Sequence, residues 1–322
     1  MSTRHDVLPL LSEPNVTRRG AANKHARLLD CRVVPDAIPA PTAFVPGETC
    51  IDASGASIVL PRDARRIVSL VPSVTESLFA LGLGERVAAV TEWCIHPADL
   101  PPPLPRVRGT KNPDVAAIVA LRPDLVLANL EENREVDVRR LRERGVTVWV
   151  DYPRTVREAV LHLDGLARLG ATTDVREAVV APVRGAVERA ARASTARATV
   201  HAFIAVWKDP WMTLSRDTYA HDLLACAGIR NVFADATGRY PRVELDDVAV
   251  RNPQLVLLPD EPYRFSADDA EALAHGALAG TRAARDGAVH VIDGTLAFWH
   301  GPRIAPALDL LSELAARVAE GR

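Results

Sequence analysis

Two phrases of this sequence are built alike. Arg122-Pro-Asp-Leu-Val-Leu127 and Asn252-Pro-Gln-Leu-Val-Leu257 each follow a helical stretch, and each opens a short apolar strand. A helix–strand unit used twice constrains the chain to an α/β architecture with two lobes on one plan. Residues 67–71 form another short β-branched run, closed by Pro72 and followed by an apolar stripe that ends at Gly82 or Gly84. This reads as a buried strand feeding a helix. Ser73 with Glu76 three residues on is the spacing of a capping box, so the helix is expected to start there. Strand-to-helix junctions of this kind lie at the carboxyl edge of a parallel sheet, where α/β proteins bind ligands.

Further strands are expected at 86–91, 125–128, 146–150, 199–206, 255–258 and 289–292. Residues 155–193 are helical in pattern, with breaks expected at 170–173 and at Pro182. The division that follows is an extended arm at 1–51, a first α/β lobe at 52–154, a bridging helical segment at 155–196 and a second α/β lobe at 197–322. Pro101, Pro102, Pro103 and Pro105 make a connection that is neither helix nor central strand.

Composition excludes several classes. A net charge of -2 gives no basic surface for nucleic acid or an anionic membrane. No apolar run approaches the ~20 residues of a membrane span. Residues 1–60 lack the apolar core of a secretory signal, and Cys31, Cys50, Cys94 and Cys226 show no paired spacing. Both features point to a reduced, cytoplasmic protein. No Walker, GxSxG or HExxH motif occurs, so catalysis has no motif behind it.

With RIVSLVPSVTE (66–76), VAAIVALRPDLVLA (115–128), LLACAGIRNVFAD (223–235) and GPRIAPAL (301–308) in register, the chain resembles the helical-backbone metal-chelate receptors. These are the class III substrate-binding proteins, and the likeness is greatest to their cobalamin-binding members. The resemblance implies two Rossmann-like lobes with parallel-rich sheets, a long bridging helix and a ligand cleft between the lobes. It implies a corrinoid, haem or ferric siderophore as ligand, with no cofactor required for folding, and an ABC permease as partner. Carried onto this sequence, the cleft residues are Pro72, Ser73, Trp93, Cys94, His96, Thr110, Lys111, Asn129, Glu131, Glu132, Trp207, Trp211, Arg239, Tyr240, Phe298, Trp299 and His300.

Trp93, Trp207, Trp211 and Trp299 offer indole surface to a flat chelate, and Lys111, Glu131, Glu132 and Arg239 a polar rim. Cys94, His96 and His300 are candidate axial or direct metal ligands by donor type. Relatives that dock on a permease carry one acidic residue per lobe; this chain has Asp246 at one such position and Ala116 at the other, which weakens the permease expectation. The disulfide that some relatives make from the Cys226 position meets Ser312 here. A non-catalytic binder is the first reading. The second is a cytosolic enzyme that has recruited the fold, using Cys94, His96 and Glu131, and a third is a carrier that hands a metal to a partner.

Overall fold

The computed structural model describes residues 44–98 and 104–321. Most of the expected N-terminal arm, and residues 101–103 of the proline-rich connection, lie outside the described residues. β1 (Thr49–Ile51) and β2 (Ser57–Val59) form an antiparallel hairpin. Asp52, at its turn, accepts the Val150 backbone N–H at 3.0 Å and pairs with Arg142, so the hairpin is pinned to the first lobe.

The first sheet is assembled from β3 (Ile67–Ser69), β4 (Val87–Val90), β5 (Leu125–Asn129) and β6 (Val148–Asp151). They are connected through α1 (Pro72–Ala80), α2 (Val115–Ala120) and α3 (Glu135–Arg142). Two helices follow, α4 (Val156–Ala167) and α5 (Thr173–Thr195). The second lobe runs β7 (Val200–Ile204), α6 (Tyr219–Cys226), β8 (Ile229–Asn231), α7 (Leu245–Arg251) and β9 (Leu255–Pro259). It closes with α8 (Ala267–His275), α9 (Arg282–Arg285), β10 (Val289–Ile292), α10 (Gly294–Phe298) and α11 (Ile304–Ala319).

The strand orders are β4-β3-β5-β6 and β8-β7-β9-β10, every neighbour parallel. The two sheets therefore share one topology, as the repeated phrases require. The likeness reaches individual atoms. Arg122 and Asn252 both turn through the left-handed region, at φ 48 and 47, where the proline that follows forbids a right-handed residue. Two positions later, Asp124 accepts the backbone N–H groups of Arg65 and Arg66 at the start of β3, and Gln254 accepts that of His201 in β7.

Two of the sequence expectations fail locally. The Ser73–Glu76 capping box does not form: Val71 is the N-cap and Pro72 takes the first helical position, where its missing N–H costs nothing. Ser73 is buried inside the first turn, and Glu76 is used elsewhere. Pro182 does not break the bridge either, because α5 carries it within a 23-residue helix. The bridge is thus two helices with one turn between them rather than a single long one.

α4 and α5 are tied by Asp164, whose carboxylate is met by Arg176 at 2.7 Å, Arg184 at 3.3 Å and Arg168 at 3.7 Å. One apolar core runs from Val71, Val74 and Leu78 through Val160, Leu163, Val180 and Val183 to Leu223, Leu224 and Leu308, joining both lobes across the bridge. The outer face of each sheet has a core of its own, around Val126 and Leu141 in the first lobe and Phe203 and Val256 in the second. A shared close-packed core resists large hinge motion.

Candidate interlobe site

Both sheets point their carboxyl ends at one cleft, and short polar networks hold the loops there. Asn129 ends β5. Its side-chain oxygen accepts the N–H of Glu131 at 2.8 Å and of Glu132 at 3.3 Å. Asn133 accepts the Asn129 N–H at 2.8 Å and donates to the Thr110 carbonyl at 2.9 Å, which locks two loops together. Lys111 donates to the Glu131 carbonyl. The result is that Glu131 is held out towards the opposite lobe. There its carboxylate pairs with Arg239 and accepts the Tyr240 hydroxyl at 3.0 Å. The Arg239 guanidinium lies 5.0 Å from the Tyr152 ring centre. Burial raises the Tyr240 hydroxyl well above the usual phenol range and lowers the Lys111 ammonium. Burial, then the charges of Asp151 and Glu131, push the Glu132 carboxyl up to about 8.

A second contact closes the cleft at α1. Arg303 reaches across to Glu76 in two parallel hydrogen bonds of 2.7 and 2.9 Å. The same guanidinium sits 5.2 Å from the Trp299 ring centre, and His96 meets Trp299 edge-on at 5.6 Å. Glu261, at the end of β9, is pushed up to about 7 by burial while it accepts a hydrogen bond from Trp299. The loop carrying these residues comes so close to α1 that a Cβ at Gly301 would lie 2.3 Å from the Ser77 hydroxyl, and Gly301 itself has φ 104. Only glycine fits that approach.

At the side of the cleft next to the bridge, Asp151 (end of β6), His162 (α4) and His300 (the loop before α11) come together with ligand atoms within 4.8 Å of one another. His162 Nδ1 is 3.1 Å and His300 Nε2 3.6 Å from Asp151 Oδ2. Burial raises the Asp151 carboxyl to about 7 and lowers His162 to about 3 and His300 to about 4, so both imidazoles are neutral at pH 7.

The residues expected from the sequence fall into separate groups. Lys111, Asn129, Glu131, Glu132, Arg239 and Tyr240 converge at one contact, with Thr110 behind them. His96, Phe298 and Trp299 belong to the region of the α1 contact, with Pro72 and Ser73 buried at the start of α1 and His300 beside the bridge. Trp207 and Trp211 use their rings within the second lobe, Trp207 edge-on to Tyr263 at 5.4 Å and Trp211 stacked on Phe265 at 5.7 Å. Trp93 is 51% exposed.

Cys94 does not join His96 or His300. Its thiol is fully buried in the first lobe, 3.1 Å from the Thr75 hydroxyl and 3.2 Å from that of Thr91, and desolvation raises its pKa. Among the described residues the metal-capable cluster is Asp151, His162 and His300, of which only His300 is among the sequence candidates. Glu76, Arg303 and Glu261 were also not anticipated. Cys50 and Cys94 are free thiols, Cys226 is buried, and the Ser312 hydroxyl is buried without a hydrogen-bond partner.

The sequence profile described as periplasmic binding protein matches residues 67–296. The chain belongs to this family. As a periplasmic binding protein it is 28% identical over 199 residues to the vitamin B12-binding protein of Vibrio cholerae, covering 61% of this chain and 71% of that one. The crystal structure of the periplasmic vitamin B12 binding protein of Vibrio cholerae matches with a TM-score of 0.70 at 24% identity, over 80% of this chain and 99% of that one. A periplasmic heme binding protein from Pseudomonas aeruginosa matches with a TM-score of 0.68 at 25% identity, over 80% and 93%. These findings overturn the cytoplasmic expectation, because the similar proteins of known structure are described as periplasmic. Separately, no described helix is long and apolar enough to cross a membrane.

Proposed function

We propose that this chain is the substrate-binding component of an uptake system, taking a corrinoid or a related metal chelate such as haem between its lobes and passing it to an ABC permease. The reading rests on one observation above the others. Two parallel sheets of one strand order meet across the lobes through Glu131–Arg239 and Glu76–Arg303, and this contact between lobes supports a ligand held there. The relative with 28% identity, a vitamin B12-binding protein, supports the corrinoid as the first chelate to test.

In the conformation described, the lobes touch through Glu131–Arg239 and Glu76–Arg303, so a flat chelate enters by separating these pairs. Once it is inside, Trp299, Tyr240 and Tyr152 give it ring surface, and Arg239, Lys111 and Glu131 meet its amide or carboxylate substituents. Delivery to the permease would use the exposed starts of α2 and α7, which occupy equivalent places before β5 and β9 and carry Ala116 and Asp246.

The test is an absorbance spectrum after incubation with cyanocobalamin and desalting, with hemin in a parallel sample. About one retained equivalent of corrin supports the corrinoid assignment. Retention of hemin alone moves the assignment to haem. Retention of neither, at micromolar protein, overturns the chelate reading.

A further inference from the structure

Asp151, His162 and His300 come from three different parts of the molecule: the end of a first-lobe strand, the first bridging helix and a second-lobe loop. Each side chain is nine-tenths or more buried, with exposures of 5%, 9% and 9%. Neither Asp151 carboxylate oxygen nor His162 Nε2 makes a well-aligned hydrogen bond, and the Asn129 side chain that reaches the Asp151 carboxyl does not offset the burial that raises it. Burying such groups without well-aligned partners costs about 1–3 kcal/mol each, so their convergence on one point needs a reason. A hydrogen-bonded triad would supply one, but the short approaches do not satisfy these oxygens.

The separations fit another arrangement. Nitrogen and carboxylate ligands ~2.0–2.2 Å from a tetrahedral ion stand roughly 3.3 Å apart. The two approaches to Asp151 Oδ2, 3.1 and 3.6 Å, bracket that value. The third separation, between the imidazole nitrogens, is within 4.8 Å.

We infer that Asp151 Oδ2, His162 Nδ1 and His300 Nε2 form a binding site for a single divalent transition-metal ion that fastens the two lobes to the bridge. The donor set, two imidazoles and one carboxylate, selects Zn2+, Fe2+, Co2+ or Ni2+ over Ca2+ and Mg2+, which take oxygen ligands. Three protein ligands leave at least one position for water or another donor. The ion is bound directly, through protein atoms, and the site is distinct from a chelate held by the rings and the polar rim. Its occupancy does not depend on which chelate the cleft takes. Access is from the cleft, so loading requires the lobes to separate at Glu76–Arg303 and Glu131–Arg239. Once bound, the ion resists renewed separation, because one ligand lies on each lobe and one on the bridge.

Co2+ is the probe, because its visible bands report ligand number and geometry, with Zn2+ as competitor. The full chain, stripped with EDTA and desalted, is titrated with Co2+. The expected result is one equivalent bound, with d–d absorption of a four- or five-coordinate nitrogen–oxygen site, bleached by Zn2+, and a raised Tm. Loss of a direct ligand costs at least the ~10–100-fold known for outer-shell partners, so Asp151→Asn and His162→Gln should each weaken Co2+ at least tenfold. His275→Ala, on the exposed face of α8, should leave it within twofold. If His162→Gln fails to fold, His300→Asn, on a loop, decides in its place. Wild-type protein that retains no Co2+, or unchanged affinity in Asp151→Asn and whichever histidine variant folds, overturns the site. Retention of cyanocobalamin is scored separately, so failure of this site and failure of the chelate reading are told apart.

Discussion

Cys94 and Glu132 lie close in the fold, and burial keeps both protonated. Cys94 is a thiol with no exposed surface, and its raised pKa keeps it protonated. A nucleophile or metal ligand needs the thiolate, so Cys94 belongs to the core. In native protein at pH 8 its alkylation by iodoacetamide should run at least ~100-fold slower than that of a free thiol, measured by mass spectrometry against a urea-unfolded control. Glu132 is carboxylic acid rather than carboxylate over much of the working range, with its folded pKa near 8 against an ordinary 4.5. Between those values the folded protein holds a proton that the unfolded chain has released, so stability falls as pH rises, and the loss is complete above about 8. Glu132→Gln removes that dependence. The variant should match wild type at pH 4.5 and exceed it by roughly 2–4 °C in Tm at pH 8.5, read by differential scanning calorimetry. Equal pH profiles for the two proteins would contradict the burial assigned to this group.

Among the elements, the bridge shows how burial decides what an ion pair is worth. Arg189–Asp309, between α5 and α11, is more than half exposed on both sides and contributes ~0.2–1 kcal/mol at most. Asp164 is 1% exposed and faces three arginines that are each 34% exposed, so its removal loses charge-assisted contacts between α4 and α5 while the arginines keep access to water. Asp164→Ala should cost about 1.5–3 kcal/mol in urea unfolding, and Asp309→Ala less than about 1. Elements with local causes were legible in the sequence. Leu125–Asn129 and Leu255–Pro259 were readable because each is an apolar run after a proline turn, and the repeated phrase announced the duplicated sheet. Thr155 caps α4 with Glu158 three residues on, a capping box that forms. The same signature at Ser73 misled, because Pro72 captures the first helical position and Arg303, far along the chain, takes Glu76. Asp151 and His162 were illegible for a related reason. One ends an apolar strand and the other sits on a largely buried helix, and only lobe packing brings His300 to them.

For the whole molecule, the question is how far a core shared by both lobes lets the cleft open. Val71, Leu163 and Leu224 belong to one continuous core, so opening is confined to the loops and the faces above it. Glu76–Arg303 is the strongest latch there by geometry, bidentate, with side chains only 18% and 17% exposed. A charge-assisted bond of this kind contributes ~1.5–3 kcal/mol, and about 1.4 kcal/mol is already tenfold in the ratio of closed to open protein. A chelate enters only the open form, so its association rate scales with that fraction. Glu76→Gln keeps the shape of the side chain and removes the charge. It should raise the association rate of the bound chelate about tenfold in stopped flow. Dissociation should quicken too, because the same latch closes over the occupant. If entry is unchanged while Tm falls, Glu76–Arg303 is a structural tie between the lobes, and the moving part of the cleft is the Glu131 loop against Arg239 and Tyr240.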